Sequence, residues 1–288
     1  MSEKRIIALD SQKLEAIQSC MYMLKLRFGS SLTSGLQPLQ TPDYFERGGL
    51  LHDMLESYYK IKKHRSRWMQ NRKTHDDVVR SCITIGRYKA IKMTLDIAEI
   101  ETVIDTFKQY TDHWENDSWF SVVAIEQVAS RVLYDSQDLT ILYEGKIDLI
   151  LNINGQITPV DHKSAKSRRD PNYLANQFKG YCFLLGVNNI IVNEIGFQKT
   201  VKPVEKFRRH TLSYSESSLK EWQENSIWWI INAVGLIEKE QYPKNYTSCD
   251  KYSGCIFKPV CVSDPEVRDY KIQQLYELKH WDIGQVGL

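Results

Sequence analysis

Two acidic residues and a lysine in the middle of the chain have the types and spacing of a metal-dependent hydrolytic site. Asp148 lies inside the apolar segment GKIDLIL, while Asp161 and Lys163 end the next apolar segment, TPVDHKSAK. Residues two apart on a strand point to the same face of a sheet, so Asp161 and Lys163 are predicted to project together. A hairpin turn at Asn154 and Gly155 would bring Asp148 beside them from the neighbouring strand.

Two carboxylates and one ammonium group suit the hydrolysis of a phosphodiester bond. Mg²⁺ prefers oxygen ligands and is typically held by one or two protein carboxylates together with the substrate phosphate. The bound cation polarises the phosphate and lowers the pKa of the attacking water. A lysine beside it can orient that water or offset the charge that develops on the phosphate. The competing interpretation is an ion pair that caps the end of a strand, which is the commoner role of an isolated Asp-x-Lys sequence.

Further residues extend this set into a pattern that resembles the RecB-like branch of the PD-(D/E)XK nuclease superfamily. Asp148 matches the first metal-binding aspartate of that branch, and Asp161 and Lys163 match the acidic residue and the lysine of its signature. The resemblance implies a DNA exonuclease that uses Mg²⁺ or Mn²⁺. It also implies a restriction-endonuclease-like α/β fold, with a mixed core sheet flanked by helices and an N-terminal helical lobe.

The resemblance assigns roles to residues outside the two strands. Gln177 and Tyr181 in QFKGY match a glutamine and a tyrosine that position DNA or the lysine, although alone they would be a polar helix face. His52 matches an upstream histidine that adds a metal ligand, although alone it would be an ordinary helix histidine. The resemblance brings the backbone carbonyl of His162, rather than its ring, near the metal. Glu126 is a candidate accessory acid, but a solvated strand residue is the favoured interpretation.

Three cysteines lie close together near the C-terminus, in a C-x5-C-x5-C pattern formed by Cys249, Cys255 and Cys261. Clustered cysteines in a chain without a visible secretory signal are more often metal ligands than disulfides, and a fourth ligand is normally needed. Several RecB-like nucleases carry an iron–sulfur cluster held by one upstream and three downstream cysteines. The resemblance therefore implies that Cys20 completes a 4Fe–4S site. The usual first downstream gap is two residues rather than five, so zinc remains an alternative.

The elements that must position these residues can be read from the periodicity. Apolar residues at helical spacing predict helices over 11–28, from residue 45 through GGLLHDMLESYYK, and over 88–114, 172–185 and 216–239. Segments rich in Val and Ile predict strands over 120–128, 130–134, 140–153, 156–162 and 189–197, with a loop over 29–41. The chain is predicted to form one nuclease domain, with a helical lobe at 1–115, a catalytic core at 116–215 and a C-terminal part at 216–288 that packs back on the N-terminus.

Composition excludes several classes of protein. The 288 residues are 42% hydrophobic and 26% charged, which is typical of a globular protein and not of a disordered or fibrous one. No apolar run approaches ~20 residues and no signal peptide is visible, so we expect a cytoplasmic protein without a membrane span. The two remaining cysteines, Cys82 and Cys182, are interpreted as small buried apolar residues.

Local basic segments, rather than the net charge of +2, favour nucleic acid as a partner. Residues 60–73 carry seven Lys or Arg around Trp68, and Lys166, Arg168 and Arg169 follow the candidate active site. No G-x-x-x-x-G-K-[ST] motif is present, so any DNA unwinding would need a helicase or recombination partner. Two alternatives stay open: a DNA-binding or scaffold module of the same fold that cleaves weakly or not at all, and a zinc-stapled endonuclease.

Overall fold

The computed structural model describes residues 4–64, 74–165, 171–250 and 254–283. Its helices are α1 Ser11–Ser19, α2 Met21–Phe28, α3 Asp43–Lys63, α4 His75–Ala90, α5 Ile97–His113, α6 Asn176–Leu185, α7 Pro203–Lys206, α8 Glu216–Glu238, α9 Lys258–Val262 and α10 Arg268–Leu275. Its strands are β1 Arg5–Leu9, β2 Ser34–Pro38, β3 Ser121–Asp135, β4 Leu139–Ile153, β5 Gln156–Ala165, β6 Asn189–Gly196, β7 Phe207–Ser213 and β8 Tyr276–His280. Single 3₁₀ turns cover Tyr246–Ser248 and Pro265–Val267.

The chain divides into two compact units, each assembled from separate stretches of sequence. The first unit contains the described parts of Met1–Gln40, Ala129–Gly145 and Ser215–Val286. The second contains those of Thr41–Val128 and Lys146–Tyr214, and it includes every candidate residue of the nuclease site.

The second unit is built on a mixed sheet in the order β4, β5, β6, β7. β4 and β5 pair antiparallel through the predicted hairpin, whose turn residues Asn154 and Gly155 have φ of +52° and +88°. Positive φ at both positions gives the turn the twist that a two-residue hairpin needs. β5 and β6 then run parallel, because α6 carries the chain back across the sheet between them.

Helices cover both faces of β5 in this unit. Tyr59 of α3 stacks on the ring of His162, and Gln177 of α6 contacts Lys163. Because successive strand residues point to opposite faces, α3 and α6 lie on opposite sides of the sheet. The core between the helices and the sheet is apolar, and its fully buried members include Leu50, Leu51, Met54, Val103, Phe107 and Ile195. The predicted mixed α/β fold with flanking helices is thereby confirmed.

The first unit has its own short strands and a small core. β1 pairs in parallel with β4, from Arg5 opposite Leu139 to Leu9 opposite Tyr143. β2 and β8 form a separate antiparallel ribbon. The buried residues beside this ribbon are Leu26, Phe257, Val260 and Tyr276, so the α2 segment and the cysteine-rich C-terminal segment share one core.

Four of the predicted secondary-structure assignments are wrong. The helix predicted over 11–28 is two helices, because Cys20 between them has an extended backbone. The helix predicted over 88–114 is likewise interrupted at 91–96, where Asp96 caps α5 by accepting the backbone N–H of Glu99 at 2.7 Å. The loop predicted over 29–41 contains β2, and the two strands predicted over 120–134 are the single strand β3.

Most of the predicted basic segments lie outside the described residues. Residues 65–73, Lys166, Arg168 and Arg169 belong to this group, so their proposed contacts with nucleic acid stay predictions. Within the described ranges, no helix combines the length and the apolar character needed to cross a bilayer.

Candidate active site

The two strand carboxylates meet where β4 and β5 pair. Asp148 and Asp161 adjoin the paired residues Leu149 and Val160, on the side away from the turn. Oδ2 of Asp148 accepts the backbone N–H of His162 at 2.7 Å, which fixes this carboxylate against β5. Asp161 is only 1% exposed, and its Oδ2 accepts no well-oriented hydrogen bond from the described residues. A buried carboxylate oxygen in that state is suited to accept a cation.

Lys163 is held by a chain of hydrogen bonds that runs through α6. Its Nζ lies 2.9 Å from Oδ2 of Asp161 and donates to Oε1 of Gln177 at 2.7 Å. Nε2 of Gln177 donates to the hydroxyl of Tyr181 at 3.0 Å, and that hydroxyl donates to the backbone carbonyl of Lys146 at 2.6 Å. Gln177 and Tyr181 therefore tie the lysine to β4 rather than standing as an unrelated polar helix face.

A group of possible metal ligands lies beside these residues. One ligand atom from each of His52, Glu126 and Asp148 lies within 4.8 Å of the other two. The predicted ligands His52 and Asp148 are thus brought together, whereas Asp161 lies outside this close group. Glu126 takes the third position, so its interpretation as a solvated strand residue is wrong. Its side chain is only 19% exposed and forms an ion pair with Lys146.

An unusual backbone conformation accompanies Glu126. Its φ is +49°, in the left-handed region that residues other than glycine rarely adopt within a strand. Such a conformation costs on the order of 1–3 kcal/mol and is retained only where the surroundings fix it. No periodicity in the sequence signals this change of direction. The turn of the backbone is the local feature that distinguishes Glu126 from the regular residues of β3.

His52 and His162 occupy different environments. Nε2 of His52 lies 3.0 Å from the backbone carbonyl oxygen of His162, and its Nδ1 lies 3.8 Å from Oδ2 of Asp148. The ring of His162 is buried, stacks on Tyr59 and lies 2.8 Å from the Asn193 amide. This ring points away from the carboxylates, as expected from strand alternation. Its carbonyl supports His52 and keeps a second lone pair.

The electrostatics of this site favour a bound cation. Burial and then the Asp161 carboxylate raise the pKa of Asp148 to about 7. Burial and then Asp148 raise the pKa of Glu126, while burial lowers the pKa of His52. A neutral imidazole can offer a lone pair, and a divalent cation would favour the ionised carboxylates. Imidazole and carboxylate donors fit Mn²⁺ or Mg²⁺, so the donor set suits the metal that the sequence analysis predicts.

The four cysteines of the predicted cluster all belong to the first unit. The backbone N–H of Asn245 lies 3.4 Å from the sulfur of Cys20, and Cys255 donates its N–H to the carbonyl of Cys249 at 2.8 Å. Burial raises the pKa of Cys255 and of Cys261, with further contributions from Cys20 and Cys249. The four thiols thus lie near enough to affect one another. In the described chain, however, their sulfur atoms do not form a close set like that of His52, Glu126 and Asp148.

The remaining two cysteines, Cys82 and Cys182, belong to the second unit. Cys82 and Cys182 are fully buried, and burial raises the pKa of each thiol to about 12. Their interpretation as small buried apolar residues is confirmed.

A comparison with protein-family models finds a match over most of the chain. The model of the PD-(D/E)XK nuclease superfamily matches residues 11–262, which is most of the chain. The chain belongs to the PD-(D/E)XK nuclease superfamily. No match was found among curated protein sequences.

Solved structures of two exonucleases are similar to this nuclease. A putative exonuclease from Eubacterium rectale has a TM-score of 0.51 at 10% sequence identity, over 89% of this chain and 94% of that one. The alkaline exonuclease LHK-Exo from Laribacter hongkongensis has a TM-score of 0.34 at 8% identity, over 57% of this chain and 82% of that one. At these identities the likeness concerns the fold.

Proposed function

We propose that this nuclease is a metal-dependent DNA exonuclease of the RecB-like branch. The observation that carries the proposal is the close group of ligand atoms from His52, Glu126 and Asp148, next to a lysine anchored on the adjacent strand. A helix histidine that joins a strand aspartate in this way is the feature by which the sequence resembles that branch. The similar fold of the putative exonuclease from Eubacterium rectale is consistent with the same activity.

Each side chain of the site has a defined part in phosphodiester hydrolysis. His52, Glu126 and Asp148 would hold a Mg²⁺ or Mn²⁺ ion, with Asp161 and the His162 carbonyl as the further ligands. When bound, that ion supplies Lewis-acid polarisation of the phosphate and acidifies a water molecule. A cation held by this donor set would offset the negative charge that the substrate phosphate brings into the site.

We assign to Lys163 the role of orienting the attacking water molecule. Its ammonium is held by Asp161 and Gln177, so it has a fixed position while it is still about half exposed. In the reaction, the oxygen of water bonds to phosphorus while the bond from phosphorus to the leaving sugar oxygen breaks. A fixed positive charge beside the phosphate stabilises the negative charge of the transition state without rearrangement.

The cysteines support a second part of the proposal. We assign Cys20, Cys249, Cys255 and Cys261 to a 4Fe–4S cluster, with zinc as the alternative metal. The assignment rests on the mutual influence of these thiols on the pKa of Cys255 and Cys261, and on the contact of the Cys20 sulfur with Asn245, four residues before Cys249. A cluster there would contribute to folding of the first unit, because metal binding and folding are coupled.

The substrate and its partner follow from the same assignment. We take the substrate to be DNA that is single-stranded or has a free end, and a helicase or recombination protein as the candidate partner. A test compares linear DNA labelled at one end with covalently closed circular DNA of the same sequence, both with Mn²⁺. Release of labelled nucleotides from linear DNA, with the closed circle intact, is expected. Cleavage of the circle at a similar rate would make the protein an endonuclease.

A further inference from the structure

Lys146 is a second lysine of the site, and no step described above uses its charge. It lies two residues before Asp148 on β4, so the two side chains project from the same face of the sheet. Its Nζ lies 2.8 Å from Oε2 of Glu126, and the two side chains are only 18% and 19% exposed. The backbone carbonyl of Lys146 accepts the Tyr181 hydroxyl at 2.6 Å, which fixes this position of β4.

The carboxylate that Lys146 contacts is also one of the three close metal ligands. Glu126 offers an oxygen to the group with His52 and Asp148, and it offers an oxygen to the lysine ammonium. An ammonium and a divalent cation both need the negative charge of this carboxylate. Since both side chains are largely buried, two cations at one carboxylate would repel each other strongly.

We propose that Lys146 is a built-in competitor of the metal ion for Glu126, and that metal binding frees its ammonium group to contact a phosphate of the DNA. This inference rests on the proposed function, because it takes the His52 group to be the metal site. In the metal-free protein, Lys146 balances the charge of Glu126. Once the metal takes over that role, the ammonium lies at the place where an anionic substrate arrives.

The exchange has a measurable consequence for metal affinity. Part of the free energy of metal binding is used to break the contact between Lys146 and Glu126. Removing the ammonium should therefore tighten metal binding on the order of tenfold, since a hydrogen bond to a charged group is worth about that factor. By linkage, metal and DNA should each strengthen the binding of the other through this lysine.

The direct test is Mn²⁺ binding to chelator-treated protein without DNA, followed by the electron paramagnetic resonance signal of free Mn²⁺. Lys146→Met is expected to bind Mn²⁺ about tenfold more tightly than wild type, while Lys146→Arg stays near wild type. Lys108→Met is the control for general charge removal, because Lys108 is an exposed residue of α5 and is not among the site residues. In a Glu126→Gln background, Lys146→Met should have little further effect.

The outcomes separate this inference from the proposed function. If wild type binds no Mn²⁺, or His52→Ala leaves the affinity unchanged, the metal site itself is wrong. If wild type binds and Lys146→Met is no tighter, the competition is overturned. An equal gain in Lys108→Met would overturn it too, since the effect would then be general charge removal. Unfolding temperatures of all variants confirm that each is folded.

The second part of the inference is tested with DNA that cannot be cut. Binding of a short DNA with non-hydrolysable phosphonate linkages is measured by fluorescence anisotropy, with and without Mn²⁺. Mn²⁺ is expected to strengthen DNA binding in both proteins, and the gain in affinity should be several-fold smaller in Lys146→Met than in wild type. The same Mn²⁺ effect in both proteins would show that the freed lysine does not contact the DNA backbone.

Discussion

Replacing Asp161 or Lys163 with alanine is expected to lower the rate of DNA cleavage by a factor on the order of 10² to 10³, with DNA affinity nearly unchanged. Asp161 is fully buried and offers an oxygen without a well-oriented hydrogen bond, while Lys163 holds a fixed charge beside it. Both groups act on the charge of the transition state, so their loss reduces kcat rather than binding. Single-turnover cleavage of end-labelled DNA, with affinity measured separately, gives the two quantities.

Lys108→Ala is the control for general loss of positive charge. Lys108 is an exposed residue of α5 in the same unit and is not among the site residues. It should leave the cleavage rate within about twofold of wild type. Near wild-type cleavage by Lys163→Ala, or an equal loss in Lys108→Ala, would remove Lys163 from the mechanism.

Serine substitutions of the four clustered cysteines are expected to share one phenotype. Cys20→Ser, Cys249→Ser, Cys255→Ser and Cys261→Ser should each lose the bound metal and lower the unfolding temperature by roughly 10 °C or more. The reason is that each thiol would anchor a different stretch of the first unit to the same metal centre. Iron, zinc and acid-labile sulfide are measured on anaerobically purified protein, together with thermal unfolding.

The buried cysteines provide the matched controls for metal content. Cys82→Ser and Cys182→Ser place a hydroxyl in an apolar core and should lose some stability, yet they should keep the full metal content. Iron with equal sulfide identifies the cluster, while zinc alone identifies the alternative. Full metal content in Cys20→Ser would leave α1 and α2 without a role in metal binding.

The paired strands of the site could be predicted because their signals are local. The apolar alternation of β4 and β5 and the Asn154–Gly155 turn fix the register, and that register brings Asp148 next to Asp161. A spacing of four residues predicts that Gln177 and Tyr181 share one face of a helix, whereas their role in the site was implied only by the family resemblance. The sequence pattern could not show that their hydrogen bonds reach Lys163 and β4.

Periodicity could not predict the contact between Glu126 and Lys146 or the place of Glu126 in the site. Glu126 turns into the site through a positive φ within a long strand, and no residue type nearby announces such a turn. Its contact with Lys146 joins β3 to β4, so it depends on tertiary pairing rather than on spacing. The break before α5 did carry a signal, because Asp96 followed by Glu99 resembles a capping box.

The most direct test of the metal site is the dependence of cleavage on a divalent ion, measured with wild type and Asp148→Asn in parallel. End-labelled linear DNA is incubated with protein in EDTA, and Mn²⁺ or Mg²⁺ is then added in excess. Wild type should be inactive in EDTA and recover on metal addition, whereas Asp148→Asn should stay inactive because it lacks one charged ligand of the group with His52 and Glu126. Undiminished cleavage by wild type in EDTA, or equal recovery by Asp148→Asn, would contradict this assignment of the site.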